Sequence, residues 1–146
     1  MLVVMDTNVL YQTLHSTEGA SHQILRLIRT GAVRLALSHA VLLEYEAVLT
    51  RPKSLRRFGM DGEDVGAVLR YLAAVSEKFE PSFLFRPNLR DEDDNMFVEL
   101  AVTSQCRFLV TSNVRDYRSG ELQFGSFGIV TPAEFMQMWR QTHVES

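Results

Sequence analysis

Short, continuously apolar runs alternate along the chain with longer stretches in which apolar residues recur every three or four positions, the pattern of buried strands separated by amphipathic helices. Leu2-Val3-Val4-Met5 is the first such run, and Asp6-Thr7-Asn8 ends it with residues suited to cap a helix carrying Val9, Leu10 and Leu14. Between Ser21 and Arg29, Ile24, Leu25, Leu27 and Ile28 fall at helical spacing, and Gly31 stands where a C-terminal cap belongs. Val33 to Leu37 reads as a second strand. Ser38 can then cap a helix through Val41, Leu42, Tyr45, Val48 and Leu49. That helix carries Glu44 and stops before Pro52, because proline disfavours helical geometry in the residue ahead of it.

Asp61 to Ser76 is the clearest amphipathic helix, with Val65, Val68, Leu69, Leu72 and Val75 on one stripe. An extended or strand-like piece from Phe79 to Phe85 and a loop through Pro87 lead to Asp91-Glu92-Asp93-Asp94. These charges suit the N-terminus of a helix that buries Phe97, Leu100 and Ala101. Phe108-Leu109-Val110 is a third central strand, ending in Thr111-Ser112-Asn113 and a polar turn. Phe127 to Val130 is a further short strand, and Thr131-Pro132-Ala133-Glu134 opens the last helix as a capping box with proline at its first position, ahead of inward-facing Phe135, Met138 and Trp139. The alternation predicts an α/β fold: a central, mostly parallel β-sheet of about four or five strands flanked by helices on both faces, a three-layer sandwich. No linker, repeat or low-complexity tract interrupts it, so residues 1–146 read as a single domain with a tail, Thr142 to Ser146, that frays.

Composition narrows the class of function. The 146 residues, 46% hydrophobic and 23% charged, have the make-up of an ordinary globular protein with one core. The single cysteine, Cys106, excludes an internal disulfide and a cysteine-rich zinc site, and points to a reducing cytoplasm with the thiol as a small buried group. Met1 to Met5 is too short for a secretory segment, and no stretch approaches the ~20 apolar residues that span a bilayer, so neither export nor a membrane is expected. A net charge of -3 means that any contact with a nucleic-acid backbone must be local. Arg51, Lys53, Arg56 and Arg57 form a basic island, readable as a phosphate contact or as a solvated surface loop.

Four acids from four segments are placed to converge at the carboxyl edge of the sheet: Asp6 closes the first strand, Glu44 lies on the helix after the second, Asp94 opens the helix leading to the third, and Asp116 follows that strand by a short turn. Like-charge repulsion would strongly destabilise such a cluster unless a cation filled it, and hard oxygen donors favour Mg²⁺ or Mn²⁺. Each acid also has an ordinary reading: Asp6 as a helix cap, Glu44 beside Glu46 on a solvated face, Asp91 to Asp94 as charges at a helix N-terminus, and Asp116 as turn chemistry. His15, His22, His39 and His143 show no ligand spacing and read as solvent-facing or structural. Tyr45 and Tyr117 read as base-stacking groups or as core.

In order along the chain these motifs resemble those of the PIN-domain nucleases. The opening strand with Asp6-Thr7-Asn8-Val9-Leu10 looks like the first motif of that family, and Ser38 to Pro52, with Glu44 ahead of Val48-Leu49-Thr50-Arg51-Pro52, is similar to the second. Asp91-Glu92-Asp93-Asp94-Asn95-Met96-Phe97 with Glu99-Leu100-Ala101 resembles the third, its spacing favouring Asp94 over Asp91 or Asp93 as ligand. Leu109 to Tyr117 looks like the fourth, and Ile129-Val130-Thr131-Pro132-Ala133-Glu134-Phe135 is similar to bacterial toxin-like members. The resemblance covers essentially the whole chain. One departure is Asn113, where many relatives have aspartate.

The resemblance implies a PIN-like fold and hydrolysis of single-stranded RNA, with Asp6, Glu44, Asp94 and Asp116 as catalytic metal ligands for one or two Mg²⁺ or Mn²⁺ ions. Thr7, Asn8, Asp91, Thr111 and Asn113 then orient the carboxylates, and Arg51, Lys53, Arg56 and Arg57 meet the RNA. The toxin-like branch further implies a toxin–antitoxin pair, with a small antitoxin protein as partner, and a homodimer; Phe83 to Phe85 and Met136, Met138 and Trp139 offer apolar surface for such contacts, or core. A haloacid-dehalogenase phosphatase needs a second aspartate where Asn8 stands, and a receiver domain needs an acidic pair near its first strand and a late lysine, whereas the last lysine here is Lys78. The rival from another class is an RNA-binding or assembly module of the same fold without turnover.

Overall fold

The first apolar run forms strand β1 (Leu2–Met5), and Val3, Val4 and Met5 are all buried. Successive strand side chains point to opposite faces, so three buried neighbours in a row mean that both faces of the sheet are covered. Strand β2 (Arg34–Leu37) shows the same at Leu35, Ala36 and Leu37. The computed structural model describes residues 1–81, 95–118 and 127–143. Five strands, with β3 (Glu77–Lys78), β4 (Phe108–Val110) and β5 (Gly128–Val130), form one parallel sheet in the order β3-β2-β1-β4-β5. This is the expected α/β architecture, with every pairing among the described strands parallel.

The helices among the described residues are α1 (Thr7–His15), α2 (Ala20–Arg29), α3 (His39–Leu49), α4 (Pro52–Phe58), α5 (Gly62–Val75), α6 (Asn95–Ser104), α7 (Val114–Arg118) and α8 (Pro132–Thr142). Their ends follow the local chemistry of the sequence. The Ser38 hydroxyl accepts from the Val41 N–H at 3.2 Å to open α3. Capping boxes start α5 at Asp61 and Asp64 and α8 at Thr131 and Glu134, the latter with Pro132 in the first turn. Gly31 (φ 84°) follows α2, and Gly59 (φ 67°) closes α4, each in the left-handed region where a Cβ is costly. Phe97, Leu100 and Ala101 of α6 are buried as their spacing predicts.

Four expectations need correction. The third strand is the pair Glu77–Lys78, parallel to Ala36–Leu37, and not the segment from Phe79: the described residues Phe79 to Pro81 are not strand, and the rest of that segment lies outside the described residues. The basic island is a helix, because Pro52 that stops α3 also pre-sets the first turn of α4. The polar turn after β4 contains the short helix α7 among its described residues. On α8, Met136 joins Phe135 as a buried residue, whereas Met138 and Trp139 are partly buried. Cys106 is buried, as expected. No helix among the described residues is long and apolar enough to cross a membrane.

Candidate active site

The strand order creates a switch point beside β1: the chain goes from β1 to β2 and β3 on one side and then crosses to β4 on the other. In open α/β sheets a crevice opens beyond the carboxyl ends of the strands at such a point. Asp6 is the residue directly after β1, and Thr111 the residue directly after β4. The register pairs Met5 with Val110, and the Asp6 N–H donates to the Val110 carbonyl at 2.9 Å, extending the ladder by one step. Residues more than a hundred positions apart are thereby set side by side.

Asp6 occupies the N-cap position of α1, yet its side chain makes no cap hydrogen bond. Instead its Oδ2 accepts from the Thr111 hydroxyl at 2.8 Å, the Tyr117 hydroxyl at 3.1 Å and the Asn8 amide at 3.3 Å. The Thr111 oxygen in turn accepts from the Asn113 N–H at 3.0 Å, and the Asn8 carbonyl oxygen accepts from the Ser112 N–H at 3.2 Å. Thr111 and Asn8 thus each tie the carboxylate to the loop after β4. Burial pushes the Asp6 carboxyl above its ordinary value of 3.8, while the Thr111 and Tyr117 hydroxyls and the backbone N–H groups of Thr7 and Asn8 pull it back. Among the described residues every side-chain donor to Asp6 meets the same oxygen.

A cleft of ≈340 Å³ opens over this carboxylate, lined by Asp6, Thr7, Asn8, Glu44, Asn113 and Asp116, with Tyr11, Val48, Arg51 and Phe97 completing its wall. Glu44 reaches the cleft because its neighbour anchors α3. The Tyr45 side chain is buried, and its hydroxyl donates to the Met5 carbonyl at 2.6 Å, one residue before Asp6. Burial, and after it the Asp6 charge, push the Tyr45 phenol far above its ordinary value, so it serves as a proton-bearing donor. Asp116 sits on α7, where its N–H donates to the Asn113 carbonyl at 3.0 Å. Three of the four expected acids therefore face one cleft.

The fourth, Asp94, and its neighbour Asp91 lie outside the described residues. Helix α6 is described from Asn95 onward, and its Phe97 forms part of the cleft wall. Among the described residues no three of His, Cys, Asp and Glu come close enough to hold a metal ion by themselves. The donors that do line the cleft are carboxylate, amide and hydroxyl oxygens, a set that suits a hard divalent cation. One buried oxygen of a cleft-lining residue, Thr7 Oγ1, has no hydrogen-bond partner among the described residues. Buried polar groups left so are rare and need a reason, and a hydrated cation nearby would supply partners.

Of the basic island only Arg51 lines the cleft, while Lys53, Arg56 and Arg57 are exposed on α4. Tyr45 and Tyr117 are fully buried, which removes them as stacking surfaces and makes both hydroxyls structural donors at the site. Their part cannot be read from the sequence, since a tyrosine at an apolar position signals burial but not where its hydroxyl points. Tyr11 of α1, by contrast, is half-buried and lines the cleft, a place that the sequence does not announce.

The fold is shared with solved structures. It superposes on the crystal structure of VapBC2 from Rickettsia felis bound to a DNA fragment from their promoter with a TM-score of 0.60 and 16% sequence identity, over 90% of this chain and 98% of that one. No curated protein matches by sequence. A family model described as the PIN domain matches residues 2–115, a span that holds Asp6, Glu44 and the Thr111-Ser112-Asn113 loop, and the chain belongs to the PIN-domain family.

Proposed function

We propose that this chain is a metal-dependent endoribonuclease that hydrolyses single-stranded RNA in the cytoplasm and acts as the toxin of a toxin–antitoxin pair. The observation that carries the reading is the buried Asp6 carboxylate at the switch point, fixed through one oxygen by Thr111, Tyr117 and Asn8 and sharing a cleft with Glu44 and Asp116. Keeping a carboxylate where burial penalises its charge is costly to folding, and such placement is typical of groups held for chemistry. Asp6, Glu44 and Asp116, with Asp94, are the residues that would hold Mg²⁺ or Mn²⁺. When bound, the cation supplies positive charge at the scissile phosphate and makes a water more acidic.

The chain's own groups do the rest. The three donors on Asp6 Oδ2 fix the rotation of the carboxylate, so that orientation is set before substrate arrives. Asn113 lines the cleft beside Asp116 and offers a neutral oxygen, which lowers the negative charge a phosphodiester must approach. Arg51 is the cationic side chain on the cleft wall, placed to meet a non-bridging phosphate oxygen. The likeness to VapBC2 accords with the toxin-like branch, in which a small antitoxin protein covers the acidic cleft and the chain forms a homodimer.

The reading is tested by titrating Mn²⁺ into the protein with labelled single-stranded RNA, beside an Asp6→Asn, Asp94→Asn double variant. Cleavage that rises with Mn²⁺ and is lost in the double variant is expected. RNA binding that persists with no cleavage at any Mn²⁺ concentration makes the protein a binding or assembly module instead.

A further inference from the structure

We propose that Tyr11 is a stacking platform for one unpaired base of the RNA, and that Arg51, on the same cleft, takes a phosphate beside that base. This rests on reading the cleft as the RNA site. Tyr11 lies on α1 and is half-buried, with part of its surface forming the cleft wall beside Asp6, Thr7 and Asn8. Its ring is held by Phe58 of α4, at a centroid distance of 4.8 Å and an interplanar angle of 63°, an edge-on contact that keeps an aromatic side chain in one place. The cleft is lined by acids, but Arg51 lines it too, and α4, which follows Arg51 and ends at Phe58, carries the exposed Lys53, Arg56 and Arg57.

An aromatic face beside a track of positive charge is the combination that binds single-stranded nucleic acid without strict sequence choice. Each base in a duplex is covered on both faces by its neighbours, so a base reaches Tyr11 only when it is unstacked, and the platform selects unpaired nucleotides. The strand then runs from the acids past Tyr11 and Arg51 onto α4.

The test is binding, which does not depend on turnover. Anisotropy of a short fluorescein-labelled single-stranded RNA is measured with Asp6→Asn protein and with the same protein carrying Tyr11→Phe, Tyr11→Leu or Arg51→Gln. Tyr11→Phe should keep the affinity of the Asp6→Asn parent, and Tyr11→Leu should weaken it about tenfold with no change in its salt dependence. Arg51→Gln should weaken binding and lower the slope of log affinity against log salt by about 0.7, as for one phosphate contact on a single strand. An abasic position moved along the RNA should weaken binding by the parent at one site, and that site should vanish in the Tyr11→Leu protein, which has no ring for a base to lose. Thermal melting checks that each variant is folded.

Equal affinity of the folded Tyr11→Leu and parent proteins, or no RNA binding by the parent, overturns the proposal. Cleavage by the wild-type protein, assayed separately, decides the nuclease reading. Tyr11-dependent binding without cleavage keeps the platform and removes the nuclease, and cleavage with no Tyr11 effect on binding does the reverse.

Discussion

The Tyr117 hydroxyl donates to Asp6 Oδ2 at 3.1 Å, joining α7 to the residue that directly follows β1. This bond favours the ionised carboxylate against the burial that opposes it. Tyr117→Phe keeps the ring and deletes the donor. Asp6 should then ionise at higher pH, and the acid limb of the rate–pH profile should move up. A hydrogen bond to a charged group contributes ~1.5–3 kcal/mol, so the rate at a pH within that limb should fall at least about tenfold. A Phe variant whose profile overlays the wild type would remove Tyr117 from the site.

Asp6 itself should be a stability liability when no divalent ion is present. Its carboxyl is raised above 3.8 in the folded protein, so folding favours the protonated form. Below the unfolded value both states are protonated and the penalty vanishes; as pH rises from 3.8 through the raised folded value, the penalty grows to its full size. Asp6→Asn should therefore melt higher than wild type at about pH 7 in EDTA and match it at about pH 3. Added Mg²⁺ should raise the wild-type melting temperature and leave the variant unmoved. A variant less stable than wild type at neutral pH in EDTA contradicts the account of a burial penalty.

Much of this site can be read along the chain because it is built at element ends, where local chemistry is legible. Asp6 has to follow β1 and the Thr111 loop has to follow β4, since apolar runs that short leave little choice of boundary. That the two ends meet is a matter of strand order, which periodicity does not carry; the family resemblance supplies it. Glu44 is distinguishable from Glu46 only by that resemblance, although a helix of about 3.6 residues per turn separates their directions by ~200°. The basic island reads as a loop in sequence because Pro52 ends one helix and begins another, and a proline signals both equally. The two-residue β3 escapes the pattern because Glu77 and Lys78 have no apolar alternation to announce a strand.

Thr111 joins both halves of the site through one oxygen, which donates to Asp6 and accepts from the Asn113 N–H. Thr111→Val keeps shape and burial but removes both bonds, and should cost about 2 kcal/mol of stability as well as activity. Thr111→Ser keeps the hydroxyl and should retain most of the activity, at the smaller cost of one methyl group. Urea melts and initial rates on the two variants provide the measurement. Val and Ser variants with equal activity would mean that the hydroxyl does not orient Asp6.

Cys106 is buried, and its thiol is pushed up to about 11, with burial the main cause. The thiolate is the nucleophile, so native protein should react with iodoacetamide at about pH 8 far more slowly than unfolded protein, whose thiol sits at about 8.5. Labelling should rise with urea along the unfolding curve followed by circular dichroism. Fast labelling of the native state would show an opening at the end of α6 that the burial of Cys106 argues against.

Glu44 and Glu46 provide the sharpest internal control, because they lie on one helix two positions apart and line different surfaces. Glu44 faces the cleft with Asp6 and Asp116, whereas Glu46 lines a groove against Leu69 and Arg70 of α5. If cleft position and not acidity alone decides function, Glu44→Gln should weaken Mn²⁺ binding at least about tenfold, the scale seen even for groups that only support a ligand. Glu46→Gln removes the same charge from the same helix, so any long-range electrostatic effect is matched between the two. It should leave Mn²⁺ affinity and cleavage within about twofold of wild type, as expected for a surface pair screened by salt. Calorimetric titration of both variants separates the cases: equal losses would trace the effect to net charge, and no loss in Glu44→Gln would take Glu44 out of the metal site.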